Sequence, residues 1–156
     1  MTKLLSGSSF DSFLLEEASL SMQVTWLLDG KINRGFYSAE EWEDKSLHPY
    51  PLISWSEVRG HLRELIRGKK APASLSIVLQ LRPDHCEKIL VSHGFPQLKE
   101  NVGAMVLNIR YDGTDVTLVT GIALKSFTLD KNADRIWDET MEKFLISREI
   151  GFETMA

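Results

Sequence analysis

The sequence predicts an α+β fold, in which helices pack on an antiparallel sheet of about five strands, arranged as two β-hairpins and one further strand. Some segments alternate apolar with polar residues, as half-buried strands do, and others repeat apolar residues every three or four positions, as amphipathic helices do. The order of these segments, roughly α-β-β-α-β-α-β-β-α, is typical of helices packed on an antiparallel sheet. With 156 residues, 43% of them hydrophobic, the chain is long enough to bury one sizeable core. We therefore predict a single domain over residues 1–156.

The first hairpin is predicted after a short helix or turn at residues 10–15. Residues 18–28 alternate strictly between apolar and polar positions, which predicts one half-buried strand. Its apolar face contains Ala18, Leu20, Met22, Val24, Trp26 and Leu28. The dipeptide Asp29-Gly30 favours a tight turn into a second strand over residues 32–37. In this register the apolar residues of the second strand fall on the more polar face of the first, so the pairing requires a bulge or two partly covered faces.

An extended loop and a helix are predicted next. Pro49 and Pro51 disfavour regular structure in residues 38–53, which also contain an acidic cluster. Residues 54–57 have the capping-box pattern that begins a helix, and helical spacing continues to Gly68, a suitable residue to end it. The apolar positions of this helix are Trp55, Val58, Leu62, Leu65 and Ile66.

The second half of the chain predicts a strand, a helix, a hairpin and a final helix. Residues 75–81 alternate as a strand does, and Pro83 opens a helix that closes near His93-Gly94. A hairpin turning at Asp112-Gly113 follows, and residues 133–145 have strong helical periodicity. The cross-strand pairs predicted to lie on one buried face, under this last helix, are Leu107–Leu118 and Ile109–Val116.

Composition excludes several classes of protein. The 18 basic and 22 acidic residues give a net charge of −4, which together with the apolar content excludes a disordered chain and a surface that is basic throughout. Cys86 is the only cysteine, so no internal disulfide forms. No stretch approaches the ~20 apolar residues that span a bilayer, and no secretory signal follows Met1. We expect a cytoplasmic protein that has no membrane partner.

Five ordered segments share their pattern with known proteins. They are residues 29–37, 55–59, 65–72, 107–111 and 127–131. Together they resemble an uncharacterised family of small proteins of unknown function from Clostridia-type Firmicutes, over nearly the whole chain. The resemblance implies a bacterial, cytoplasmic protein and implies no activity. Similar proteins begin with an extra strand before the stretch that matches Lys3-Leu4-Leu5, so we expect one sheet edge to be left open here.

A second resemblance involves residues 19–37 and 54–81. A strand pair followed by a helix and a strand is similar to one domain of a DNA sliding clamp, where the helix faces DNA. The helices at 83–93 and 130–145 do not fit that arrangement simply. This resemblance implies that the helix beginning near residue 54 contacts nucleic acid.

Basic residues follow one face of the same helix. Arg59, Arg63 and Arg67 are spaced at i, i+4 and i+8, and Lys69 and Lys70 come directly after them. Such a stripe offers sequence-independent contacts to a phosphate backbone. The alternative is a solvated helix face whose partners are nearby acidic residues.

Aromatic residues cluster in the predicted 38–53 loop. Trp42, His48 and Tyr50 have little else nearby in sequence to bury them, and exposed aromatic residues mark binding surfaces. They predict a pocket for a small molecule. A loop folded back over the sheet explains them equally well.

Catalytic and metal-binding motifs do not emerge from the sequence. Cys86 and His93 lie about 10 Å apart along a helix, too far for one zinc ion to bind both. His85 does not complete a zinc-ligand spacing with either of them. Gly68 is not preceded by the glycine that a nucleotide P-loop requires, and no nucleophile-elbow or dinucleotide motif is present. We expect no metal and no cofactor.

Three classes of function follow from these observations. The first is a non-enzymatic binding module that contacts nucleic acid weakly through the basic helix face. The second is a small-molecule enzyme or binder that uses a pocket near the 38–53 loop. The third is a structural homodimer formed through an open sheet edge.

Overall fold

A computed structural model describes residues 1–68 and 70–155. The helices are α1 Thr2–Leu5, α2 Ala39–Glu43, α3 Trp55–Ile66, α4 Pro83–Ser92 and α5 Asn132–Ser147, with short 3-10 helices at Arg34–Phe36 and Pro96–Glu100. The strands are β1 Phe13–Ser21, β2 Thr25–Asp29, β3 Ser74–Leu81, β4 Val102–Tyr111 and β5 Val116–Leu124. They form one five-stranded antiparallel sheet in the order β2-β1-β3-β4-β5. The predicted α+β class is confirmed.

Two compact units are distinguished within the chain. The first contains Met1–Arg82 and Leu107–Val119. Its core lies between α3 and the inner face of β1 and β3, where Trp55, Leu62 and Ile77 are fully buried. The Trp55 indole donates a hydrogen bond to the Leu4 carbonyl oxygen at 3.1 Å, which ties α1 to α3.

The second unit contains Pro83–Val106 and the chain from Thr120 onward. The helix predicted at residues 133–145 is confirmed as α5, and its apolar stripe is buried as expected. The buried residues of α5 are Ala133, Ile136, Trp137, Met141 and Leu145. The Trp137 indole donates to the Val106 carbonyl oxygen at 2.8 Å, so α5 is docked on β4.

The first hairpin differs from the predicted one. The strand predicted over residues 18–28 is two antiparallel strands, and the chain turns where the Met22 amide donates to the Val24 carbonyl oxygen at 2.9 Å. Ala18 therefore pairs with Leu28 across the hairpin. A turn centred on Gln23 keeps every second residue on the same face, so one long strand and a short hairpin have the same alternation. The sequence pattern could not distinguish them.

The strand predicted over residues 32–37 is wrong, because Arg34–Phe36 is a 3-10 helix. Gly30 makes no hairpin turn either. Its amide donates to the Glu16 carbonyl oxygen at 2.9 Å, and its own carbonyl oxygen accepts from the Ile53 amide at 2.8 Å. The helix or turn predicted over residues 10–15 is confirmed for residues 10–12, which form a turn, and wrong for residues 13–15, where β1 begins.

Helix capping also differs from the prediction. Ser54 precedes α3, but its side chain makes no capping hydrogen bond. The capping box is formed instead by Ser38 and Glu41 at the start of α2, within the segment predicted as an extended loop. Gly68 has a positive φ of 72° just after α3, so the helix ends where the sequence predicts.

The second hairpin turns one residue later than predicted. The Asp112 amide donates to the Asp115 carbonyl oxygen at 3.2 Å, so Gly113 and Thr114 form the turn. The Asp112 carboxylate accepts hydrogen bonds from the Thr114 and Asp115 amides, which holds the aspartate before the turn. The later turn moves Val116 from opposite Ile109 to opposite Tyr111, near the end of the hairpin. Val116 is 42% exposed there and is not buried as predicted.

Candidate anion-binding site

Arg59, the first residue of the basic stripe, is held in an ion pair. Its Nε lies 2.9 Å from Oδ1 of Asp11 and its Nη2 lies 3.3 Å from Oδ2. Nη1 donates to the Ser6 carbonyl oxygen at 3.4 Å. Because its donors are occupied by the N-terminal segment, Arg59 attaches α3 to that segment and is not available to an external phosphate.

Arg63 and Arg67 have exposed guanidinium groups. Their side chains are 48% and 76% exposed, and each lies near the Glu64 carboxylate, at 3.9 Å and 3.5 Å. Exposed ion pairs of this kind contribute at most about 1 kcal/mol, so an anion can compete for the two arginines. Both line one open cavity of about 500 Å³, together with Met1, Leu5, Ser6 and Ile66.

The two lysines of the stripe follow the end of α3. Lys70 is exposed, and Lys69 lies outside the described residues. The backbone carbonyl groups that end α3 lie at the same end of the helix, where they carry partial negative charge. The structure brings Arg63 and Arg67 together at one cavity and places Arg59 against Asp11.

The aromatic loop packs largely on itself. Trp42 and His48 stack with ring centroids 4.0 Å apart, and His48 Nε2 lies 2.8 Å from the Trp42 carbonyl oxygen. Tyr37 contacts both rings, while Arg34 and Lys45 lie over the indole at 5.2 Å and 5.3 Å. These contacts bury His48 almost completely.

Tyr50 has a different neighbour. The Arg82 guanidinium lies 5.7 Å from its ring centroid. The structure thus brings Trp42 and His48 together and places Tyr50 against Arg82. The cavity beside α3 is lined by none of these three aromatic residues, and a small-molecule pocket at the loop stays a prediction.

A second cavity, of about 420 Å³, was missed by sequence reasoning. It lies beside the paired strands β1 and β2, and its lining includes Glu16, Glu17, Asp29 and Lys31. Gln80 donates to the Glu16 carboxylate at 3.0 Å. The register of β1 against β3 shifts between Leu15 and Glu17. Nothing in the local sequence marks that irregularity, so the cavity could not be predicted.

Cys86 lies in α4 and is buried. Burial raises the pKa of its thiol, which disfavours the nucleophilic thiolate. Over residues 1–68 and 70–155, no three His, Cys, Asp or Glu side chains come together as a metal ion would require. In the same part of the chain, no helix is long and apolar enough to cross a membrane.

Comparisons with known proteins give one positive result. No curated protein and no solved structure matches the chain. Residues 3–153 match the family of unknown function DUF5721, which is consistent with the uncharacterised family that the five sequence segments resemble. Because the match covers nearly the whole chain, the protein belongs to the family of unknown function DUF5721.

Proposed function

We propose that the chain is a non-enzymatic binding module of the bacterial cytoplasm that contacts the phosphate groups of nucleic acid through Arg63, Arg67 and Lys70. One observation carries the proposal: two exposed guanidinium groups line the same cavity at the end of α3. Guanidinium presents a planar fork of donors that matches phosphate oxygens. The resemblance of residues 19–37 and 54–81 to a clamp domain, whose helix faces DNA, supports the same surface.

The surroundings of the two arginines set the expected affinity. Glu64 lies near both guanidinium groups, the carbonyl end of α3 repels an anion, and the whole chain has a net charge of −4. Binding is therefore weak, independent of base sequence and sensitive to salt. Because Arg59 is held by Asp11, at most four basic side chains of the stripe can contact phosphate. They are Arg63, Arg67, Lys69 and Lys70.

The test is a salt titration of binding to a fluorescent DNA duplex. Each neutralised phosphate contributes about −0.9 to the slope of log affinity against log salt, so we expect a slope no steeper than about −3.6. The double variant Arg63→Glu/Arg67→Glu should abolish binding. It leaves the buried positions of α3 unchanged, so circular dichroism should show an intact fold.

A matched control separates the site from the overall charge. The double variant Arg110→Glu/Arg135→Glu makes the same change in net charge at two other exposed arginines, and it should retain most of the binding. If both double variants lost DNA binding equally, binding would depend on net charge alone and not on this site. Absence of binding by the parent protein at low salt would show that the stripe is only a solvated face.

A further inference from the structure

Strand β2 lies at one edge of the sheet, and all its residues except Leu28 are exposed. Trp26 and Leu27 are 45% and 77% exposed, although both are large apolar residues. Edge strands with exposed apolar side chains are templates for pairing with another strand. Asp29 is the one charged residue of β2, so the edge lacks the repeated charges that usually prevent such pairing.

The register of β2 determines which backbone groups face outward. The Gly30 amide donates to the Glu16 carbonyl oxygen, and the Met22 amide donates to the Val24 carbonyl oxygen. In an antiparallel pair the inward hydrogen bonds alternate along the strand, so the even-numbered residues of β2 bond to β1. The odd-numbered residues direct their N–H and C=O groups outward. Those residues are Thr25, Leu27 and Asp29.

We propose that β2 pairs with β2 of a second copy of this chain, antiparallel and about a two-fold axis at Leu27. Under that rotation Leu27 meets the partner's Leu27, and Thr25 meets the partner's Asp29. Both are pairs of outward-facing residues, so each exchanges two backbone hydrogen bonds. Trp26 meets the partner's Leu28 between them, which pairs apolar side chains on the other face of the extended sheet.

Side-chain pairing selects this register among the five that the outward backbone groups allow. An axis at Trp26 or at Leu28 would place Leu27 opposite the partner's Thr25 or Asp29, which are polar. An axis at Asp29 would place two carboxylates directly opposite each other, which is destabilising. An axis at Thr25 would place Leu27 opposite the partner's Gln23, a polar residue beyond the strand. The axis at Leu27 places no like charges together and pairs apolar with apolar. The strand has only five residues, so the interface is below the roughly 1,200 Å² of stable complexes, and the dimer should be reversible.

The experiment is sedimentation velocity over a series of protein concentrations. Leu27→Lys and Leu27→Glu each place like charges across the axis and remove the Leu–Leu contact, so each should weaken dimerisation by about tenfold or more. An equimolar mixture should regain dimers, because lysine then faces glutamate across the axis. Leu27 is largely exposed, so neither substitution removes core packing, and circular dichroism checks that both variants fold.

The control variant is Val119→Lys, which changes an exposed apolar residue of β5 at the opposite edge of the sheet. It should dimerise as the parent does. The proposal is overturned if the parent stays monomeric at every concentration, or if Val119→Lys abolishes dimers while Leu27→Lys does not. Failure of the lysine and glutamate variants to associate when mixed would also overturn the register, independently of any effect on DNA binding.

Discussion

Two buried tryptophans show how single residues hold this fold together. The indole N–H of Trp55 donates to Leu4, and that of Trp137 donates to Val106. A buried indole without a partner costs the desolvation of its N–H group, so each tryptophan is bound to one neighbouring backbone position. Apolar burial has no preferred direction, so each hydrogen bond fixes the orientation of its indole ring within the core.

Trp137→Ala should lower the free energy of unfolding by about 3–5 kcal/mol, because it removes a fully buried aromatic side chain and leaves a cavity under α5. Chemical denaturation followed by far-UV circular dichroism measures the change. Phe127→Ala is the control, since Phe127 is 84% exposed and its truncation should change stability little. A loss below about 1 kcal/mol for Trp137→Ala would contradict the docking of α5 on β4.

The three arginines of the stripe have the same spacing and different surroundings. Arg59 pairs with Asp11, 48 positions earlier in the chain, while Arg63 and Arg67 each lie near the exposed Glu64. Periodicity predicts that all three share one face of a helix, whereas α3 ends at Ile66 and Arg67 follows it in a non-helical conformation. It contains no information about Asp11, because a partner that distant in sequence is set by the folded chain.

At the scale of elements, two backbones approach each other closely just after the end of β2. A Cβ atom at Gly30 would lie 1.8 Å from the carbonyl oxygen of Leu15, which is far inside van der Waals contact. Backbone atoms cannot give way as a flexible side chain can, so a glycine is required where β2 leaves β1. The hydrogen bonds of Gly30 to Glu16 and Ile53 depend on this approach.

Gly30→Ala should therefore destabilise the protein by about 2 kcal/mol or more, through backbone displacement at the end of β2. Gly60→Ala is the matched control, since a Cβ at Gly60 meets nothing within 4 Å and the residue lies inside α3. Alanine is the better helix former, so Gly60→Ala should stabilise by about 0.5–1 kcal/mol. Thermal unfolding measures the stability of each variant relative to the parent protein. If Gly30→Ala were as stable as the parent, the close backbone approach at Gly30 would be contradicted.

At the scale of the whole molecule, the two compact units are not separate stretches of chain. The division between them crosses β4 at Val106–Leu107 and β5 at Val119–Thr120. Each unit therefore contains part of the same two strands, and neither could be excised as one continuous segment. We propose that residues 1–156 form a single domain on this basis.

A single domain should unfold in one transition. We expect the calorimetric and van't Hoff enthalpies of the full chain to agree, as they do for two-state proteins of this size. Two separated calorimetric transitions, or a van't Hoff enthalpy well below the calorimetric one, would show that the units unfold independently. If duplex DNA binds only the folded chain, a scan with DNA present at low salt should show no additional unfolding transition.

The elements that the sequence determined are those whose patterns are local. Helix α5, strand β3 and the end of α3 just before Gly68 follow from periodicity and backbone preference, because neighbouring residues decide whether a helix or strand has an apolar face. The α+β class follows from the order of such segments.

Only the tertiary structure decided the position of the first hairpin turn, the pairing of Arg59 with Asp11 and the exposure of β2. A turn at Met22–Val24 leaves the alternation of the strand unchanged, so the sequence pattern is the same with or without it. Ion pairs and sheet edges depend on which distant segments meet, and that is settled by the packing of the whole chain. The basic stripe was therefore visible in the sequence. The sequence did not show that Arg59 is held by Asp11 while Arg63 and Arg67 remain exposed.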